Sequence, residues 1–180
     1  MKKVIAMILA LSVLLLLAAC AKEDPIIETG LTIEDISAVY KVGEIREYKE
    51  TKISGSKKSF SFKNESYYKV QGVLSGDNVV EFSVYMTNIA AKNYNDFLQI
   101  ILKGTVNFDA LGTSEYKSLR PIVYVRDLYD ALGGDSETLD PMSLIRVITD
   151  KEVLKTDNWR ITADLNISEK SVTIHVEYAK

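Results

Sequence analysis

The chain of 180 residues predicts an α+β fold, an antiparallel sheet built from an N-terminal meander and a C-terminal hairpin, with a helical segment covering one face. Three observations carry that prediction. Residues 67–86 and 159–178 each alternate apolar and polar side chains at period two about a short turn. The residues between them change to helical spacing. The strand segments alternate instead of running continuously apolar, which marks a sheet with one wet face. A mostly β half-barrel with one helix is the rival, and it requires residues 118–132 to be a strand.

The elements follow in order. Thr32-Ile33-Glu34-Asp35 opens a short helix, with Thr32 as cap and Asp35 reaching back. Residues 40–53 read as extended and Gly55 marks a turn. Phe60 and Phe62 alternate with Ser59, Ser61 and Lys63, a strand with one buried face. In the hairpin of 67–86, Tyr68, Val70, Gly72 and Leu74 form one apolar set and Val80, Phe82, Val84 and Met86 the other. A two-residue loop at Gly76-Asp77 would set the faces in conflict. A three-residue loop through Asn78 pairs Leu74 with Val80, Gly72 with Phe82, Val70 with Val84 and Tyr68 with Met86, and a one-residue slip would flip every side chain. Phe82 then covers the bare backbone at Gly72.

Residues 89–103 carry Ala90, Tyr94, Phe97, Leu98, Ile101 and Leu102 on one helical face, stopped by Gly104. In 118–132, Ile122, Val125, Leu128, Tyr129 and Leu132 share a face before Gly133-Gly134, which predicts a helix despite the β-branched content. Asp140-Pro141 starts another short helix over 142–149. The last hairpin sets Ile161, Ala163, Leu165 and Ile167 against Val172, Ile174, Val176 and Tyr178 about a turn at Glu169-Lys170. That register opposes Asp164 with His175.

Composition limits function. The hydrophobic share is 47% and the charged share 26%, enough for a real core. The formal charge is −3, and removing a leader that carries Lys2 and Lys3 leaves 20 basic against 25 acidic residues, a net −5. Phosphate backbones need clustered Lys and Arg, and Lys57-Lys58 is too small a cluster, so nucleic acid is excluded as a partner.

The N-terminus has three parts: Lys2-Lys3, an uncharged apolar stretch over 4–17, and Leu17-Ala18-Ala19-Cys20. This is the build of a secretory signal peptide, and the apolar run is shorter than the roughly 20 residues a membrane span needs. Leu17-Ala18-Ala19-Cys20 resembles the lipobox of bacterial lipoproteins. The resemblance covers the first twenty residues only. It implies cleavage before Cys20, a diacylglyceryl thioether on its sulfur, and often an acylated α-amine. Two or more acyl chains anchor firmly, at about 0.8 kcal/mol per buried CH₂. The single cysteine of the chain is thereby consumed, leaving no free thiol in an oxidising compartment. Ala21 stands where an aspartate would resemble an inner-membrane retention signal. Lys22-Glu23-Asp24 is similar to the short export signal of Bacteroidetes surface lipoproteins. The expected location is the bacterial cell envelope: the outer membrane, with surface exposure, in a two-membrane cell, and the outer face of the cytoplasmic membrane otherwise. Residues 1–19 are then leader, 20–31 a lipidated flexible tether, and 32–180 one globular domain.

Chemistry-bearing motifs are sparse. His175 is the sole histidine, and its pairing with Asp164 reads as a surface pair; no Gly-x-Ser-x-Gly elbow presents a serine. Asp135, Glu137 and Asp140, near Asp127 and Asp130, lack the spacing of a calcium loop, and Asp140 is spoken for as a helix cap. Zinc has one histidine and no thiolate available. Neither a metal nor another cofactor is expected, and no catalytic residue is assigned. Tyr67, Lys69, Gln71, Ser83 and Tyr85 share the polar face of the first hairpin, and Tyr67, Lys69, Gln71 and Tyr85 form the candidate binding surface, receiving a protein or a glycan. The expected function is a non-catalytic, lipid-anchored binding module. The alternatives are an envelope hydrolase using carboxylates, and a structural subunit joined through a strand edge.

Overall fold

The computed structural model describes residues 24–39, 45–64, 68–86, 120–166 and 168–180. Seven strands form one antiparallel sheet: β1 (Arg46–Ser54), β2 (Lys57–Asn64), β3 (Tyr68–Ser75), β4 (Asn78–Met86), β5 (Leu154–Lys155), β6 (Trp159–Asn166) and β7 (Ser171–Tyr178). Their spatial order is β1-β2-β3-β4-β7-β6-β5. The meander and the C-terminal hairpin therefore join through β4 and β7, and the sheet stays open. Three α-helices lie among the described residues: α1 (Ile33–Val39), α2 (Arg120–Ala131) and α3 (Pro141–Thr149). The class is α+β. The helix predicted over 89–103, like Tyr67 and Cys20, lies outside the described residues.

One face of the sheet is the core. Phe60, Gly72, Phe82, Val176, Ile161 and Leu154 align across six strands, and Phe62, Val70, Val84, Ile174 and Ala163 form the next row. Apart from Gly72, all these residues are buried, and they share one cluster with Ile36 of α1, Ile122, Val125 and Leu128 of α2, and Leu144, Ile145 and Ile148 of α3. Helix α3 packs on β6, α2 on α3, and α1 on α2.

Local chemistry explains the helix ends. Thr32 and Asp35 form a reciprocal capping box, with Thr32 N donating to Asp35 Oδ2 at 2.8 Å and Asp35 N to Thr32 Oγ1 at 3.2 Å. Within the stretch 118–132, Arg120–Ala131 is a helix because its apolar residues recur every three to four positions. Gly133, at φ +86°, ends it, and Gly133 N and Gly134 N donate back to Asp130 O and Tyr129 O. Asp140 caps α3 through Met142 N at 3.1 Å, with Pro141 in the first turn.

Three sequence expectations are corrected. The β3–β4 loop has two residues, Gly76-Asp77, not three. Leu74 pairs with Val79 and Ser75 with Asn78, while Gly72–Phe82, Val70–Val84 and Tyr68–Met86 pair as expected. A β-bulge at Val79-Val80 absorbs the odd residue, so that Val79, not Val80, joins Phe82, Val84 and Met86 in the core. The β6–β7 register is displaced by two residues: His175 faces Thr162 and Asp164 faces Thr173. A two-residue shift preserves the faces, so alternation alone does not detect it.

The third concerns the segment assigned to the tether. Ile27 N donates to Ser75 Oγ at 2.8 Å, and Thr29 N and Gly30 N both donate to Asn78 Oδ1, at 3.2 and 3.0 Å. Val79 N donates to Leu31 O at 2.8 Å, and Thr29 Oγ1 to Val79 O at 2.7 Å. The β4–β7 ladder begins only at Glu81, so the bulged Val79 turns its backbone groups to this strap instead. Leu31 is buried in the core. Further back, Ser56 Oγ donates to Asp24 O at 3.2 Å, and Ile26 lies against the Gly76 turn.

Candidate functional site

The face of the sheet turned away from the helices is polar and concave, enclosing a trough of about 690 Å³. Its floor is a row that crosses six strands one residue at a time: Lys49, Ser61, Gln71, Ser83, His175 and Thr162. At the ordinary strand spacing this row is roughly 24 Å long. A parallel row, Thr51, Ser59, Val73, Glu81, Glu177 and Arg160, forms one flank. Alternation explains the composition: the same strands send their phenylalanines, valines and isoleucines to the other face.

Charge is separated along the trough. Lys49 and Lys69 stand at the β1–β3 end, whereas Glu81 and Glu177 face each other directly across β4 and β7. Like charges in that position are unfavourable. Arg160 Nη1 lies 3.5 Å from Glu177 Oε1 and offsets part of the cost. Among the described residues, the side chains of Ser61, Lys69, Gln71 and Thr162 have no hydrogen-bond or ion-pair partner, so their donors and acceptors face solvent.

His175 is the best-connected group in the trough. Its Nδ1 lies 2.9 Å from Ser83 Oγ and its Nε2 3.4 Å from Asp164 Oδ2. Asp164 Oδ1 accepts from Lys151 Nζ at 2.6 Å. The hydrogen bond from the Lys151 ammonium holds the Asp164 carboxyl below its ordinary range; partial burial opposes it, and His175 adds a smaller lowering. The order Ser–His–Asp is that of a nucleophilic triad. What such chemistry also needs is a pair of donors for the oxyanion. Ser83 lies mid-strand between β3 and β7, where the backbone N–H groups of β4 are spent on the two ladders.

Of the residues chosen from sequence, Lys69 and Gln71 line the trough. Tyr85 is opposite Lys69, as expected, but is half-buried and does not line it. Lys49, Ser61, Thr162 and His175 were not in that choice. Lys49 and Ser61 come from β1 and β2, whereas Thr162 and His175 reach the first hairpin through the β4–β7 pairing, which has no local sequence signal. The acidic stretch 135–140 is occupied structurally: Asp130 accepts from Ser136 N and Oγ, Asp135 from Glu137 N, and Asp140 caps α3 and lies 3.5 Å from Arg146. Among the described residues no group of three His, Cys, Asp or Glu is placed to hold a metal ion. Nor is any described helix long and apolar enough to cross a membrane.

The free edge at β1 is long but interrupted. All nine of its residues are exposed, and irregularities between Arg46 and Lys49 and between Lys52 and Ser54 leave only a short regular stretch. Glu47 adopts φ +52°, and Lys49, Glu50 and Lys52 charge the strand. Bulges and charges of this kind discourage edge-to-edge pairing.

No protein-family model matches this chain, and no curated protein or solved structure resembles it closely enough to carry an argument.

Proposed function

We propose that the chain is a lipid-anchored protein of the bacterial cell envelope whose wet sheet face is a non-catalytic binding surface for an extended polar chain, a glycan or a peptide. The observation that carries the binding part is the unbroken polar row from Lys49 to Thr162, with unpartnered hydroxyl, amide and ammonium groups along a trough. A polymer laid across the strands would meet a hydrogen-bonding group at every strand from β1 to β6, and its charged substituents would find ammonium groups at the β1–β3 end and, beyond them, the Glu81 and Glu177 carboxylates with Arg160. The anchor part rests on Leu17-Ala18-Ala19-Cys20.

A hydrolase reading draws on Ser83–His175–Asp164 and on the Glu81–Glu177 pair. It is weaker, because among the described residues Ser83 has no oxyanion donors beside it, and Glu81 and Glu177 lie side by side on one flank of an open trough, not across a cleft. Assembly through β1 is weaker for the reason given by its bulges. The test is co-purification of the lipidated protein from its own envelope, with wild type beside Lys69→Glu and Gln71→Ala. A glycan or peptide retained by wild type and lost from Lys69→Glu supports the reading. For Gln71→Ala, loss of one neutral hydrogen bond of about 1 kcal/mol predicts capture weakened roughly fivefold. Equal recovery from all three proteins, or recovery of nothing, removes the trough as the site. Separately, Cys20→Ser should move the protein to the soluble fraction.

A further inference from the structure

The hairpin-turn end of the sheet carries three exposed isoleucines that do not line the trough. Ile26 is 55% exposed, Ile27 37% and Ile53 53%. Ile26 and Ile27 lie on the strap, which meets both turns, and Ile53 lies on the strand that leads into one of them. Asp24 lies against Gly55 and Ile26 against Gly76, while Gly76 N donates to Ser56 O at 3.0 Å, joining the two turns. Ile53 is two residues from Gly55. Single exposed apolar side chains are ordinary on a protein surface; three at one end of a sheet need a reason, and their nearness to the N-terminal segment supplies one.

What lies next to that surface follows from chain length. Four residue steps separate Cys20 from Asp24, a reach of at most roughly 14 Å even when fully extended. From Ile27 onward the strap is hydrogen-bonded to Ser75, Asn78 and Val79, so it supplies no further slack. An acyl chain on Cys20 would therefore hold the Gly55 and Gly76 turns against the headgroups.

Resting on the anchored reading above, we propose that the Ile26, Ile27 and Ile53 surface is a membrane-contact face. It beds into the bilayer interface beside the acyl anchor and fixes the orientation of the sheet, with the strands rising from the membrane. Apolar side chains at an interface bury a few ångströms into the boundary between headgroups and acyl chains. The strap is thus an orienting element, not a flexible leash. The opposite end of the sheet, at the β6–β7 turn containing Glu169, faces away from the bilayer.

The acylated protein tests this directly, because lipidation of Cys20 leaves any introduced cysteine as the sole free thiol. Ile26→Cys, Ile53→Cys and Glu169→Cys are each labelled with an environment-sensitive fluorophore. Each is reconstituted into phosphatidylethanolamine–phosphatidylglycerol vesicles with and without brominated acyl chains. The expected result is blue-shifted, bromolipid-quenched emission at positions 26 and 53 and neither effect at 169. All three labels unquenched on vesicle-bound, acylated protein overturns the contact face and leaves the anchor standing. Protein that carries no acyl group and does not bind vesicles overturns the anchor, and the contact face with it.

Discussion

At Gly72 the absence of a side chain is a packing requirement. A Cβ there would stand 2.2 Å from Glu81 O, 2.8 Å from the Phe60 ring and 2.8 Å from Phe82 Cα. Two of these three neighbours are backbone and cannot swing aside. Gly72→Ala should therefore destabilise the fold by about 1–3 kcal/mol, or more, through overpacking, seen as a lower denaturant midpoint. Asp164 makes a different kind of prediction. Its carboxyl is held below the ordinary range, chiefly by Lys151, so the stabilisation is present above that range and lost as pH falls through the depressed value. The melting temperature of Asp164→Asn should lie slightly below wild type at neutral pH and converge with it in acid. The effect is small because both partners are exposed. A gap that persists or widens in acid would contradict this account.

Among the elements, α1 has only seven residues and depends on its ends. Thr32→Ala removes the acceptor for Asp35 N and should cost about 1 kcal/mol, measurable by chemical denaturation, with Thr32→Ser restoring most of it. Elements of this kind were legible in the sequence, because a capping box, a Pro after an Asp, or a Gly at a helix end acts over a few neighbouring residues. The helix α2 was legible from spacing alone, against its β-branched content. The bulge at Val79-Val80 was not. Its local cost is met by the strap, whose Leu31 and Thr29 take up the backbone groups of Val79, and those partners lie about fifty residues away. The two-residue register shift of β6–β7 was hidden for another reason: both registers satisfy the same alternation, and Glu169-Lys170 suits either turn.

For the molecule as a whole, the strap joins the first described residues to the middle of the sheet. Asn78→Ala removes the shared acceptor for Thr29 N and Gly30 N, and hydrogen exchange at those two amides should accelerate well beyond any change at β6 and β7 amides. Uniform acceleration across the sheet would show instead that the strap is part of the global folding unit. The candidate site was half legible. Lys69 and Gln71 could be placed on a wet face by alternation, but the trough extends to His175, Glu177, Thr162 and Arg160 only because β4 pairs with β7, a long-range choice that no local pattern announces.

The crossing of that polar row over the strands has a geometric consequence. If the strand axes stand upright on a lipid surface, the row lies level with it. Ser83 is five residues along β4 from Asn78 and so roughly 17 Å above the turns. A thread of wall or capsule material running flat over the cell would be engaged along its length, at a height set by the strands.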